Sequence, residues 1–305
     1  MHLLRGAKFI KYLLLMETKL HAIPSEEYHA DTNRMTSGGL RHIHRSPVHY
    51  WANYLDPGRI IKPPTQSMLL GTYVHCAVLE PDRFAHKYVG LDDKEICNRL
   101  ESGGLRNPRT SKEYRNWLED FKQSNTGKGI ISADEYSKVL AMRDSVLSFS
   151  KATRLLDDVQ TEKTIFFTHS DSGAICKAKI DAINTTSIST PIIIELKTCE
   201  NASPEAFGKQ VYNLRYYNQA AFYVDGFIAA GLSQQIPLHV FIAVENSPPY
   251  ACAVYYTTNE ILELGSRENA IDLNVYVNCL NTGVWYGYSN AITPLQFPPW
   301  AFRNF

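Results

Sequence analysis

No two of the six cysteines stand close enough to make a C-x-x-C pair: Cys76, Cys97, Cys176, Cys199, Cys252 and Cys279 are scattered along 305 residues. That spacing argues against zinc ribbons and cysteine-bound iron–sulfur clusters. It reads instead as reduced thiols in a cytoplasmic protein. Net charge is also missing, with 31 Lys+Arg against 31 Asp+Glu. A wholly cationic, histone-like mode of nucleic-acid binding is thereby excluded, while a local basic groove stays open because binding depends on the field at the contact surface. Long apolar runs are lacking too. In MHLLRGAKFIKYLLLM the lysines Lys8 and Lys11 interrupt the hydrophobic stretches. A signal peptide wants a continuous apolar region and a spanning helix about 20 apolar residues. Residues 1–27 therefore read as an extension outside the folded domain, with Met16 an equally good start, and no membrane segment is expected. Repeats and low-complexity tracts are absent.

What is present is ordinary globular material, 44% hydrophobic and 20% charged, in a chain long enough to bury a core without disulfides. One domain is expected over 28–305, with a helical part to about 157, a sheet core over about 158–280 and a strap over 281–305. Ser46-Pro47 starts a helix. SMLLGTYVHCAVLE at 67–80 reads as a helix stopped by Pro81. Residues 82–130 are polar, with Gly103, Gly104, Pro108 and Gly127, and predict an irregular region around a short helix near Trp117. Ser132-Ala133-Asp134-Glu135 is a capping box that opens a helix over 133–148.

After residue 158 the pattern changes. TEKTIFFTH, a turn at Asp171-Ser172-Gly173, and AICKAKIDAIN predict paired strands. IIIELKT after Pro191 predicts a strand buried on both faces. Helices follow at about 203–209 and 213–230, then a hairpin of PLHVFIAVE and YACAVYYT, then a long helix to about 280. The order β-β-β-α-β-β-α implies an α/β fold, a mixed central sheet flanked by helices.

The chemistry concentrates on Asp181, Glu195 and Lys197. Asp181 is late in one strand; with thirteen residues between Asp181 and Glu195, Glu195 and Lys197 end the next. Alternation puts Glu195 and Lys197 on one face and Leu196 on the other. Charges at the end of a core strand cost several kcal/mol each (about that much) unless paired or bound to metal. Asp181 and Glu195, with the Leu196 carbonyl, offer hard oxygen ligands for one or two Mg²⁺ ions. Lys197 can orient water or stabilise developing charge. An E-x-K tripeptide alone is common on exposed strand edges; the apolar prefix and the preceding aspartate favour a site. Gln219 and Tyr223 lie at i and i+4 on one helix face, to meet a phosphate or base or simply to pack. His75, on the 67–80 helix, is either a core residue or a further metal ligand.

Together, Asp181, Glu195-Leu196-Lys197 and Gln219-x-x-x-Tyr223 resemble the PD-(D/E)XK nuclease superfamily in its RecB-like branch. Gly71-Thr72-Tyr73-Val74-His75 looks like that branch's upstream histidine motif. MTSGGLRHIHRSPVHYW, KAKIDAI and the closing PPWA look like the nuclease domain of exodeoxyribonuclease VIII (RecE-type). The resemblance covers roughly residues 28–302 and implies a restriction-endonuclease-like fold. It implies His75, Asp181 and Glu195 as metal ligands, Lys197 as catalytic lysine, and Gln219 and Tyr223 as supporting or DNA-contacting groups. Glu195 stands where some RecE-type relatives carry aspartate. The resemblance further implies Mg²⁺- or Mn²⁺-dependent degradation of one strand of duplex DNA from its 5′ end, leaving 3′ tails for recombination. A ring of three or four copies and a RecT-type single-strand annealing partner are implied with it. An endonuclease on the same fold and an inactive DNA-binding subunit are the alternatives. Phosphate contacts are sought among Arg34, Arg41, Arg45, Lys62, Lys177, Lys179 and Arg215, and stacking among Tyr50, Trp51 and Tyr54.

Overall fold

The computed structural model describes residues 19–185, 190–289, 291–298 and 302. The N-terminal stretch 1–16 and residues 299–301 of the closing PPWA lie outside them. Short helices come first: α1 (Ser25–Ala30), α2 (Ser37–Arg45), and α3 (Pro47–Tyr50), which runs into a π-turn at Trp51–Leu55. Then come α4 (Gln66–Leu79), α5 (Pro81–Lys87), β1 (Tyr88–Leu91), α6 (Lys94–Ser102), α7 (Lys112–Ser124) and β2 (Gly129–Ser132). The capping box does what its sequence implies: the Ser132 side chain accepts from the Glu135 N–H and opens α8 (Ala133–Ser148), followed by α9 (Ser150–Leu155).

The central sheet has the order β3 (Gln160–Thr168), β4 (Ile175–Asn184), β5 (Ile192–Cys199), β6 (Leu238–Glu245), β7 (Cys252–Tyr256). All neighbours are antiparallel except β5 and β6, which run parallel. Parallel neighbours need a crossover, here α10 (Pro204–Asn213) and α11 (Tyr216–Ala229); α12 (Asn259–Thr282) closes the fold.

Strand β5 explains its own sequence. Ile193 enters the core beneath α2, α11 and α12, with Met35, Leu40, Phe222 and Leu273. Ile192, Ile194 and Leu196 enter the opposite core beneath α4 and α8, with Val74, Val78, Val139 and Met142. Both faces are dry, so the strand has no polar side until Glu195. The α/β reading, a mixed sheet between helical layers, holds.

The stretch 82–130 departs from the irregular region its polarity implied. It folds into α5 to α7 and a two-stranded parallel sheet of β1 and β2. Its order comes from a small cluster of Ile96, Cys97 and Tyr114 and from Asp93, which accepts from Arg109 Nε and the Tyr114 hydroxyl, both at 2.7 Å. Polar ties of this kind carry no hydrophobic periodicity. After Gly283 the chain packs Trp285 against Tyr50 and Tyr276. Among the described residues, no helix is long and apolar enough to cross a membrane.

Helices α11 and α12 meet at Gly265, where a Cβ would lie 2.7 Å from both Ala221 Cβ and the Tyr217 carbonyl oxygen. Gly265→Ala should therefore destabilise the protein. A gain in helix propensity of about 1 kcal/mol is outweighed by overpacking of about 1–3 kcal/mol against backbone. Urea unfolding should show a lower midpoint; an unchanged or higher one would mean that the helices separate at no cost.

Candidate active site at a strand fork

The sheet register sets three carboxylates in one transverse row. Thr161 pairs with Ala182 and Lys163 with Ile180, which puts Glu162 opposite Asp181. Ala182 pairs with Ile194, so the next step puts Asp181 opposite Glu195. Neither acidic pair closes a ladder rung. Pairing between β4 and β5 stops at Ala182–Ile194, while β5 continues along β6 to Cys199. The strands part there, and the Leu196 N–H freed by the fork donates to Asp181 Oδ2 at 2.9 Å. Glu162 has a φ of 53°, left-handed backbone rare for a residue with a side chain.

Helix α4, opened by the Thr65 side chain accepting from the Met68 N–H, brings His75 over the fork. Its Nε2 lies 2.6 Å from the Leu196 carbonyl oxygen and its Nδ1 3.4 Å from Asp181 Oδ2. The short contact requires a proton on Nε2, since a carbonyl only accepts. Burial and the nearby Lys197 lower the His75 pKa and favour the neutral ring. Nδ1 then faces a carboxylate oxygen with no proton between them, an arrangement that a cation relieves. One ligand atom each from His75, Glu162 and Asp181 lies within 4.8 Å of the others.

Glu195 is fully buried. Its Oε2 accepts from Lys197 Nζ at 2.7 Å, while Oε1 is buried without a hydrogen-bond partner. Lys197 Nζ also donates to Gln219 Oε1 at 3.0 Å and lies 4.7 Å from the centre of the Tyr216 ring. Gln219 Nε2 in turn donates to the Tyr223 hydroxyl at 2.8 Å. Helix α11 is set for this by Arg215, whose left-handed backbone (φ 56°) precedes its first turn. The Arg215 guanidinium ties to Glu268 at 3.0 Å and Asp272 at 3.1 Å on α12.

The electrostatics follow from burial. Desolvation and the neighbouring Asp181 push the Glu162 carboxyl up to about 7. Burial raises Asp181 and Glu195 as well; Asp181 adds to the rise at Glu195, and Lys197 opposes both. Burial by itself would depress Lys197, but Glu195 and Asp181 outweigh it and its pKa is raised, so it stays an ammonium. Tyr223 is driven well above the usual phenol range, first by burial and then by Glu195, and stays protonated. An unpartnered buried carboxylate oxygen, a bare imidazole nitrogen and three mutually repelling carboxyls form a hard donor set that fits a divalent cation.

The structure thus joins His75, Asp181, Glu195, Leu196, Lys197, Gln219 and Tyr223 in one connected network. Glu162 escaped the sequence reading, although counting outward from the turn at 171–173 sets it opposite Asp181. The basic residues divide. Lys177 is buried, its Nζ bonded to the Tyr28 and Asp31 carbonyls, and Arg215 is spent on α12, so neither is placed to hold phosphate. Lys179 donates to the Ile23 carbonyl at 2.8 Å, and Arg34 pairs with Asp31. Tyr50 and Tyr54 stack on one another, with Tyr50 in the core.

A sequence model of the family described as "PDDEXK-like domain of unknown function (DUF3799)" matches residues 37–295. Among solved structures the chain is similar to a "Putative exonuclease" from Eubacterium rectale, with a TM-score of 0.56 and 14% identity over 86% of this chain and 88% of that one. At that identity the likeness bears on the fold. A structure of SSO0001 gives a TM-score of 0.27 and 17% identity over 53% of this chain and 69% of that one, too slight to carry an argument. No curated protein matches the chain.

A carboxyl whose pKa is higher folded than unfolded favours the fold at low pH and loses that contribution as pH rises through the folded value. Glu162, raised from 4.5 to about 7, weakens the metal-free fold across that window. A cation needs the ionised form. Mn²⁺ or Mg²⁺ should therefore raise the melting temperature more at pH 8 than at pH 6, and a thermal-shift series measures this. Glu162→Gln should weaken Mn²⁺ binding by roughly tenfold or more in calorimetry; unaltered affinity would remove Glu162 from the cation's surroundings.

Proposed function

The chain belongs to the PDDEXK-like family whose model it matches, and on that premise we propose that it is a metal-dependent deoxyribonuclease that degrades linear duplex DNA from its ends. The observation that carries the reading is the row Glu162–Asp181–Glu195 opened at a strand fork, with Lys197 held against it by Glu195 and Gln219. Buried carboxylates facing an anionic polymer have no use without a cation between them. His75, Glu162 and Asp181, with Glu195 and the Leu196 carbonyl beside them, would hold Mg²⁺, with Mn²⁺ able to replace it. Such an ion, when bound, lowers the pKa of water and neutralises charge on a phosphate.

The chain's own groups do the positioning. Lys197 is an ammonium and donates; its N–H bonds suit the charge that develops on a phosphate oxygen, and it cannot take a proton in that state. Glu195 and Gln219 fix its direction. Gln219 spends its oxygen on Lys197 and one N–H on Tyr223, so the three residues move as a unit. The Tyr223 hydroxyl keeps its own proton free to donate.

Action from the end, rather than within the strand, is supported by the RecE-type motifs, and the Eubacterium rectale neighbour is described as a "Putative exonuclease". The same resemblance supports 5′-to-3′ polarity, 3′ single-stranded tails for recombination, a closed ring of three or four copies around the duplex, and a RecT-type annealing partner.

Digestion of duplexes labelled at the 5′ or the 3′ terminus, beside a covalently closed circle, tests the reading. The 5′ label should be released first, only with Mg²⁺ or Mn²⁺, while the circle stays intact. Cutting of the circle would make the enzyme an endonuclease. No release with either metal would leave a DNA-binding subunit. Lys197→Ala should slow hydrolysis by roughly 10²–10³-fold and leave DNA binding measurable by gel shift, because the phosphate contacts that position DNA do not depend on it.

A further inference from the structure

Two cavities reach the fork, and their linings differ in kind. One, of about 310 Å³, is bordered by Asp31, Asp181 and Tyr223, with Lys179 in its wall and Arg34 and Lys177 turned onto Asp31. The other, of about 700 Å³, is bordered by His75, Leu196 and Lys197. His75 and Leu196 touch Asp181, so the cavities adjoin across the site.

Both lysines that line the larger cavity are paired. Lys197 is bound to Glu195 and Lys209 to Glu205, both at 2.7 Å, and Glu200 adds a carboxylate to the lining. A phosphate backbone needs cations to hold it. In their place the cavity offers the side-chain amides of Gln210, Asn213 and Asn246, which among the described residues make no side-chain hydrogen bond. Gln210 and Asn246 are half-buried, so these are not merely solvated surface amides. The same lining holds the Tyr216 ring and two exposed apolar side chains, Met68 and Leu214.

Amides present donors and acceptors together, the equipment that reads the edge of a base. An aromatic face with apolar neighbours takes the plane of an unstacked base whatever its identity. Tyr216 is fixed for this by the Lys197 ammonium over its ring. We propose that this cavity, between α4 and α10, seats the nucleobase of the nucleotide next to the scissile phosphate. The inference deepens the nuclease reading and rests on it for the word "scissile"; recognition of a nucleoside does not. The strand then passes the fork with its backbone toward Lys179 and one base turned into the amide-lined side, so the substrate in the site is single-stranded at that nucleotide.

The test uses the full chain without divalent metal, titrated with thymidine, thymidine 5′-monophosphate and inorganic phosphate, and followed by ligand-observed NMR. Wild type should bind thymidine. The double variant Gln210→Ala, Asn246→Ala should bind it about tenfold more weakly, with phosphate affinity, Mn²⁺ affinity and melting temperature unchanged. Lys179→Ala should do the reverse, weakening phosphate and sparing thymidine. A wild type that does not bind thymidine, an unchanged thymidine affinity in the double variant, or an equal loss for phosphate overturns the proposal. Failure of the nuclease reading would look different: thymidine binding lost in the variant, but DNA left intact by wild type with every metal.

Discussion

Repulsion between like charges in one row of a sheet is the constraint around which the rest is arranged. Directly opposed carboxylates destabilise a pair of strands even at a surface, and here the row runs into a core in which Glu195 is fully buried. The fold lowers that cost in four visible ways. The ladder opens between β4 and β5. The Asp181 carboxylate takes over a backbone N–H that lost its partner. Lys197 neutralises Glu195. Glu162 adopts a strained backbone in place of a regular rung. The strain that remains is what a cation would relieve, and protein sites of catalysis or binding commonly store such strain.

The absence of net charge has a counterpart in the fate of individual cations. Lys177 lies under Tyr28, with its Nζ given to two carbonyls, and Arg215 is locked to two acids on α12. Several of the basic residues that attract attention in the sequence are structural, and their charge is neutralised before any ligand arrives. Counting lysines along a chain does not reveal a groove; what matters is where each ammonium group is spent, as Lys179 is on the Ile23 carbonyl and beside Glu162.

Much of the site was legible because its signals are local. The apolar run before Glu195 marked a strand dry on both sides, alternation separated Leu196 from Glu195 and Lys197, and helical spacing paired Gln219 with Tyr223. Helix boundaries at 133–148 followed from a capping box. Glu162 was missed because its role comes from the partner across the hairpin, not from its neighbours in sequence; Thr161 and Lys163 beside it look like any half-exposed strand. The order within 82–130 was missed for a related reason: an Asp93–Arg109–Tyr114 tie is built from residues that, taken singly, signal loop.

The direction of β6 relative to β5 carries a last implication. Antiparallel neighbours need only a hairpin, but a parallel one obliges the chain to travel back over the sheet before pairing. That return path is α10 and α11, and α11 necessarily crosses near the end of the strand that bears Lys197. The amide and phenol that orient the lysine are thus carried on the very segment that strand polarity makes compulsory. Their place after it in the chain, some twenty residues on, is a corollary of topology and not a separate design.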